Sequence, residues 1–313
     1  MADVLFIKTS SLGDVIHHLP ALTEARARCP DVRFQWVVEE AYAPLARLHP
    51  AVARVIPVAW RRWRHTLHRR QTRREMAAFC RELRGSAFDD IIDTQGLIRT
   101  GLIARLARGR RHGYDAASIK ERPAAWFYDV RHAVSRSLHA IERNRLLTAH
   151  ALGYVIGGEA DYGLDRSRLV TATSRYGVLL HGTARPEKQW PVEHWRALAQ
   201  ILAREIDLVV PFGTAEERRR SERITAGIGR ASVPDFQPLD EIARTIAGAS
   251  FVVGVDTGLL HLAAALGVPL VALYSHSDPK LTGPCGSGPI KLLHAGGQTP
   301  SAKEVAAAVH EIL

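Results

Sequence analysis

The chain has 313 residues, 46% hydrophobic and 24% charged, a folded globular composition that excludes a disordered chain. Its 42 basic and 32 acidic residues leave a charge of +10, all of it in residues 1–160, where 26 basic residues meet 16 acidic ones; residues 161–313 hold 16 of each. Arg outnumbers Lys by 36 to 6, which codon bias explains, but codon bias does not make one half neutral, so the first half is expected to meet an anionic partner.

The length suggests two domains. Cys29, Cys80 and Cys285 are too few and too scattered for a disulfide framework or a zinc motif and fit a reducing compartment. No stretch of 18 apolar residues is present, and the apolar run at the N-terminus is too short for a signal peptide. A cytosolic protein, able to touch a membrane surface, is expected.

In chain order, Val4 to Thr9 reads as a buried strand and Asp14 to Arg28 as the helix after it. Phe34 to Glu39, Arg54 to Val58 and Asp89 to Thr94 read as further strands, with helices over Thr72 to Leu83 and Leu97 to Ala107. Ala133 to Leu152, free of Gly and Pro, reads as one long helix. Gly153 to Arg175 has no sustained period and reads as an interdomain connection. Alternation then restarts. Strands are expected over Gly177 to Gly182, Asp207 to Phe212, Phe251 to Val255 and Pro269 to Tyr274. Helices are expected over Val192 to Arg204, Glu216 to Ile228, Leu239 to Ala247 and Leu259 to Leu266, with a closing helix over Ser301 to Leu313. Strands separated by helices predict parallel sheets covered on both faces, here two doubly wound α/β domains in tandem. Ligands of such sheets bind outside the carboxyl ends of strands, so the loops after strands should carry the chemistry.

Four segments stand out. KTSSLGD (Lys8 to Asp14) joins a strand to a helix through Ser10, Ser11 and Gly13, small residues that let a ligand reach the backbone; Asp14 by itself reads as a helix cap. No Walker lysine or GxGxxG accompanies it. In FVVGVDTGLLHLAAALG, a strand runs into Asp256, Thr257 and Gly258 and a helix begins at once, a donor set suited to a diphosphate, with His261 three residues on. HGTARPEKQW offers Thr183, Arg185 and Lys188 to phosphate oxygens. The run from Trp60 to Arg74 holds seven arginines and two histidines without an acid, interleaved with Trp60, Trp63 and Leu67; it suits nucleic acid or anionic lipid head groups.

Taken together, KTSSLGDVIHHLPAL, WVVEE (Trp36 to Glu40), VIPVAWRRWR (Val55 to Arg64), DTQGLIRT (Asp93 to Thr100) and VDTGLLHLAAALG resemble the ADP-heptose-dependent lipopolysaccharide heptosyltransferases of glycosyltransferase family nine. The likeness spans nearly the whole chain, and its first and third segments favour the branch that adds the first heptose. It implies a GT-B-type α/β fold, two doubly wound Rossmann-like domains facing a central cleft, with an acceptor domain over 1–160, a donor domain over 161–300 and a closing helix over 301–313. It implies inverting transfer of L-glycero-D-manno-heptose from ADP-heptose to a Kdo sugar of Kdo2-lipid A, at the cytosolic face of the inner membrane. Neither a cofactor nor a metal is expected, and no Asp-x-Asp is found.

By matching motifs, Asp14 is the implied catalytic base. Lys8, Ser10, Ser11, Arg61, Arg62 and Arg64 are implied acceptor contacts. Thr183, Ala184, Lys188, Glu217, Gln237, Asp256, Thr257, Gly258 and His261 are implied donor contacts, with Lys188 against the diphosphate and Glu217 on the ribose. Ala184 stands where a second threonine is usual, Gln237 where a methionine is usual, and Arg218 to Arg220 are more basic than the family pattern. The alternative is another family-nine heptosyltransferase with a different acceptor; a basic nucleic-acid-binding protein ranks below it, because it leaves the second-half loops unexplained.

Overall fold

The computed structural model describes residues 2–170, 175–183, 185–274, 279–294 and 299–313. Two compact units divide the chain, Met1–Gly163 and Leu164–Leu313. The first unit runs β1 (Ala2–Ile7), α1 (Leu12–Ile16), α2 (Leu19–Arg28), β2 (Val32–Glu39), α3 (Ala43–Ala46), β3 (Val52–Val58), α4 (Trp60–Thr66), α5 (Arg70–Gly85), β4 (Ala87–Asp93), α6 (Ile98–Leu106), β5 (Arg108–Tyr114), β6 (Val130–His132) and α7 (Ala140–Leu152). Its six strands lie in the order β3-β2-β1-β4-β5-β6, and every pairing is parallel. The central strand β1 buries Val4 to Ile7 almost completely. Leu5, Ile7, Val37, Ile56 and Ile91 pack on one side of the sheet against Trp63, Phe79, Leu83 and Ile103 from α4, α5 and α6.

The second unit runs α8 (Arg166–Leu169), β7 (Tyr176–Leu180), α9 (Val192–Leu202), β8 (Asp207–Val209), α10 (Ala215–Thr225), β9 (Ala231–Ser232), α11 (Leu239–Gly248), β10 (Phe251–Val255), α12 (Gly258–Ala265), β11 (Leu270–Tyr274), α13 (Pro279–Thr282), β12 (Ile290–His294) and α14 (Ala302–Ile312). Its order, β12-β11-β10-β7-β8-β9, is again parallel throughout, and read from β9 it is the first unit's order again. Both sheets therefore have the Rossmann winding, in which the chain leaves the first strand in one direction and returns to the fourth on its other side. The closing helix α14, capped by Ser301 and Glu304, packs on α9, β11 and β12 and so belongs to the second unit.

Several elements differ from the sequence reading. The helix expected over Asp14 to Arg28 is two helices, because Pro20 in the first turn of α2 has no N–H to continue the ladder from α1. The helix expected from Ala133 starts only at Ala140. Ser135 Oγ accepts from Ser137 N, so the side chains upstream compete with helical hydrogen bonds, and His139 caps the start through Nδ1 and Ile141 N. The connecting segment includes α8, whose Arg166 donates to Ala247 O and Ala249 O and ties it to the second unit. Among the described residues, no helix is long and apolar enough to cross a membrane.

Candidate active site

In a doubly wound sheet the crevice opens where neighbouring strands send their chains to opposite faces. In the first unit that point lies between β1 and β4, and the loops leaving their carboxyl ends are Lys8 to Ser11 and Thr94 to Leu97. The pairing of Ile7 with Asp93 sets the two loops side by side.

Lys8 is buried, and its Nζ donates to Thr94 O at 2.9 Å and Asn144 Oδ1 at 3.4 Å. Burial pushes its ammonium below the usual lysine value, and the nearby carboxylates of Asp14 and Asp93 oppose that. Trp36 Nε1 donates to Lys8 O, and Glu39 N to Thr9 O, which fastens the loop to β2. Asp14 lies in α1, where its Oδ2 accepts from Ser11 N at 2.7 Å and Ser11 Oγ at 3.0 Å. The cap that the sequence suggested is thus made, and both of these hydrogen bonds fall on one oxygen.

Sequence reasoning missed the residues that hold this loop. Gln95 Oε1 accepts from Thr9 N and Ser10 N, each at 3.1 Å, and Arg99 donates to Ser10 Oγ at 2.9 Å. Asp93, fully buried, accepts from Gln95 N and Gly96 N on Oδ1 and from the Tyr128 hydroxyl on Oδ2. Burial raises its carboxyl above the usual range, and those hydrogen bonds act against the rise. The DTQGLIRT motif had carried only the resemblance.

The arginines of α4 have separate fates. Glu39, buried at the end of β2, accepts from Arg61 N at 3.0 Å and fixes the start of α4, while the Arg61 guanidinium lies over the Tyr42 ring. Arg62 is held by Glu40 through two hydrogen bonds at 3.0 Å and by Glu75 at 2.7 Å. The basic run therefore does have acidic partners, supplied from outside it and from the next turn of α5. Arg64 donates to its neighbour His65. Trp63, expected at an interface, is only 5% exposed; it packs against Phe79 and donates to Glu75, so it belongs to the core. Trp60 and Leu67 are exposed.

In the second unit the crevice lies between β7 and β10, and the loops after those strands hold Thr183, Lys188, Asp256 and Thr257. Lys188 Nζ is ion-paired with Asp256 Oδ2, and each side chain is 15% exposed. Thr183 Oγ1 donates to Asp256 O at 3.3 Å. Thr257 occupies the N-cap of α12 without a side-chain capping bond. Gly258 opens that turn, and His261, expected at the surface or at a ligand, is buried in the same helix.

Glu217 follows β8, accepts from Gly213 N at 2.7 Å, and lies so close to Gly182 that a Cβ there would come within 2.5 Å of its Oε1. The loops after β7, β8 and β10 thus converge. After β9, Gln237 donates to Thr245 Oγ1 at 2.8 Å. Its neighbour Phe236 is 62% exposed and has its ring centroid 6.4 Å from that of Phe212, an aromatic pair that sequence reasoning passed over. Ala184 lies outside the described residues. No cluster of metal-ligating side chains occurs among the described residues.

Two Rossmann-wound units in tandem, each presenting its polar loops at its own switch point, are the plan of a GT-B glycosyltransferase. The chain belongs to glycosyltransferase family 9, the heptosyltransferases, whose family model matches residues 76–309. It is 43% identical over 289 residues to lipopolysaccharide heptosyltransferase 1 of Escherichia coli (strain K12), covering 90% of this chain and 91% of that one. Identity to lipopolysaccharide heptosyltransferase 1 of Pseudomonas aeruginosa is 43% over 304 residues, 96% of this chain and 85% of the relative. Among solved structures, E. coli heptosyltransferase WaaC with ADP aligns with a TM-score of 0.95 and 40% identity, over 99% of this chain and 100% of that one.

Proposed function

We propose that the enzyme moves L-glycero-D-manno-heptose from ADP-heptose to a Kdo residue of Kdo2-lipid A, with inversion, in lipopolysaccharide inner-core synthesis. The observation that carries this reading is the pairing of Lys188 with Asp256 at the N-terminus of α12, in a chain so similar to heptosyltransferase 1. Solved relatives named as holding ADP and ADP-2-deoxy-2-fluoro heptose support the donor.

In this scheme Asp14 takes the proton from the attacking Kdo hydroxyl through the oxygen that Ser11 leaves free. The acceptor oxygen bonds to the anomeric carbon as the bond to ADP breaks, and ADP leaves with the electron pair. Lys188 exchanges Asp256 for the diphosphate, and the N–H groups at the start of α12 share its charge. The scheme needs no metal ion. Glu217 accepts from the ribose hydroxyls, and the open face of Phe236 takes the adenine beside Gln237. Ser10, Ser11, Arg61 and Arg64 meet the carboxylates and phosphates of the acceptor, while Lys8 holds the base loop.

We place the enzyme at the cytosolic face of the inner membrane, with anionic lipid against α4 and α5. Arg70, Arg73, Arg74 and Arg81 line a hollow of about 400 Å³ with Ala77 and make no ion pair among the described residues, and Trp60 and Leu67, earlier in the same run, are exposed. Vesicle co-sedimentation tests this: salt-sensitive binding to anionic vesicles is expected, and binding to arbitrary duplex DNA instead would favour the nucleic-acid reading.

The central experiment is ADP release from ADP-heptose with and without Kdo2-lipid A. Release that requires the acceptor is expected, and Asp14→Asn should lower it by ~10²–10⁴, the range for a general base. Release that ignores the acceptor, or a fully active Asp14→Asn enzyme, would overturn the reading.

A further inference from the structure

We propose that Gln95 is the positioning residue for Asp14, clamping by one side-chain oxygen the loop whose Ser11 holds the carboxylate. The inference rests on Asp14 being the base. Gln95 is 7% exposed, and its Oε1 is the acceptor for two consecutive main-chain N–H groups, those of Thr9 and Ser10, 85 and more residues away in sequence. Both partners can only donate, so the amide orientation is fixed by chemistry, and both lone pairs of the oxygen are used. Thr9 and Ser10 lie past the end of β1 and before α1, where neither ladder supplies an acceptor. Without Gln95 these two groups would be left to find another partner.

The clamp is itself held. Gln95 N and Gly96 N bond to Asp93 Oδ1 at 2.8 and 3.2 Å, and Tyr128 fixes Asp93 Oδ2 at 2.7 Å. On the other side Ser11 N and Oγ bond to Asp14 Oδ2. A continuous chain therefore runs from Tyr128 through Asp93 and Gln95 to Ser10, Ser11 and the Asp14 carboxylate. Its effect is orientation: the oxygen bound by Ser11 faces the loop, and the other remains for the acceptor hydroxyl. Misplacing a reacting group by about an ångström costs on the order of 10²-fold in rate, so the clamp should be visible in turnover.

The test is a double-mutant cycle on the full-length enzyme, read by ADP release with ADP-heptose and Kdo2-lipid A, with melting temperature followed throughout. Gln95→Leu should lower kcat by ~10- to 100-fold while KM for ADP-heptose stays unchanged, because the proposed donor contacts are in the other unit. Gln95→Glu, which keeps an oxygen able to accept both N–H groups, should restore most of the turnover. Gln95→Asn, whose oxygen falls short by one methylene, should lose turnover and serves if Gln95→Leu does not fold. In an Asp14→Asn background, Gln95→Leu should cost little more, since its effect passes through the missing carboxylate. Full multiplication of the two losses, wild-type kcat in both Gln95→Leu and Gln95→Asn, or a parallel loss of melting temperature and donor affinity would overturn the proposal. A fully active Asp14→Asn enzyme would remove the base reading beneath it, an outcome distinct from a silent Gln95.

Discussion

Lys188 and Asp256 neutralise each other at the carboxyl end of the second sheet, so removing one does not mirror removing the other. Lys188→Ala leaves a carboxylate facing the proposed diphosphate site, and it also removes a charge-assisted hydrogen bond worth roughly 1.5–3 kcal/mol. ADP affinity should fall by about ten- to a hundredfold. Asp256→Asn keeps the ammonium and removes its competitor, so ADP affinity should hold or rise. Titration calorimetry with ADP on both variants decides it; equal losses would show that the pair acts only as scaffold. At this scale the sequence was legible where a charged group stands between a strand and the body of the helix after it, as Asp14, Lys188 and Asp256 do. Gln95 was illegible because its partners are main-chain groups 85 residues away, and residue type does not reveal such a bond. Trp63 misled for a related reason: its place among arginines suggested a surface, while its helix turns that one side chain onto Phe79.

The elements were read best where burial is complete. Strands β10, β11 and, from Val4 on, β1 are continuous apolar runs and stood out, as parallel central strands do. Strand β5, RGRRHGY, has three arginines and two glycines in place of an apolar run and was missed, yet it carries a consequence for the site. A Cβ on Gly113 would fall 2.2 Å from the Tyr128 ring, whose hydroxyl holds Asp93. Gly113→Ala should therefore cost ~1–3 kcal/mol of stability, the usual penalty of overpacking, and should lower turnover as well. Denaturant midpoints and ADP release check the two effects separately; an unchanged midpoint would mean that Tyr128 yields without strain. The break between α1 and α2 was readable in hindsight from Pro20, and the late start of α7 only from the serines that bond each other upstream.

For the molecule as a whole, the charge split and the unit boundary nearly coincide: the first unit, which includes Asp161, holds 26 basic and 17 acidic residues, and the second holds 16 and 15. Stability should follow pH through histidines in both units. Burial pushes His49 and His181 down to about 4, and His132, more open to solvent, also to about 4. The unfolded chain takes up protons near pH 6.5 while these rings stay neutral in the fold. Their contribution is therefore full above pH 6.5 and is lost as pH falls toward 4, at up to ~1.4 kcal/mol per pH unit for each of His49 and His181, with less from His132. Urea unfolding between pH 7 and 4 should show a falling midpoint, and replacing His49 or His181 by an uncharged residue should flatten the slope. A midpoint that rises on acidification would contradict the burial of these rings.

Scarcity of lysine makes the enzyme chemically quiet. Of its six lysines, Lys8 is sequestered in the loop after β1 and Lys188 is locked to a carboxylate, while Lys120, Lys280, Lys291 and Lys303 are exposed. An amine-acylating reagent should mark those four rapidly and spare Lys8. Lys188 becomes a slow, solitary reporter, reached only when Asp256 releases it and shielded when a diphosphate takes its place. Occupancy of the proposed donor site should then be read as the presence or absence of one acyl mass on the intact chain, without a tag or an engineered probe.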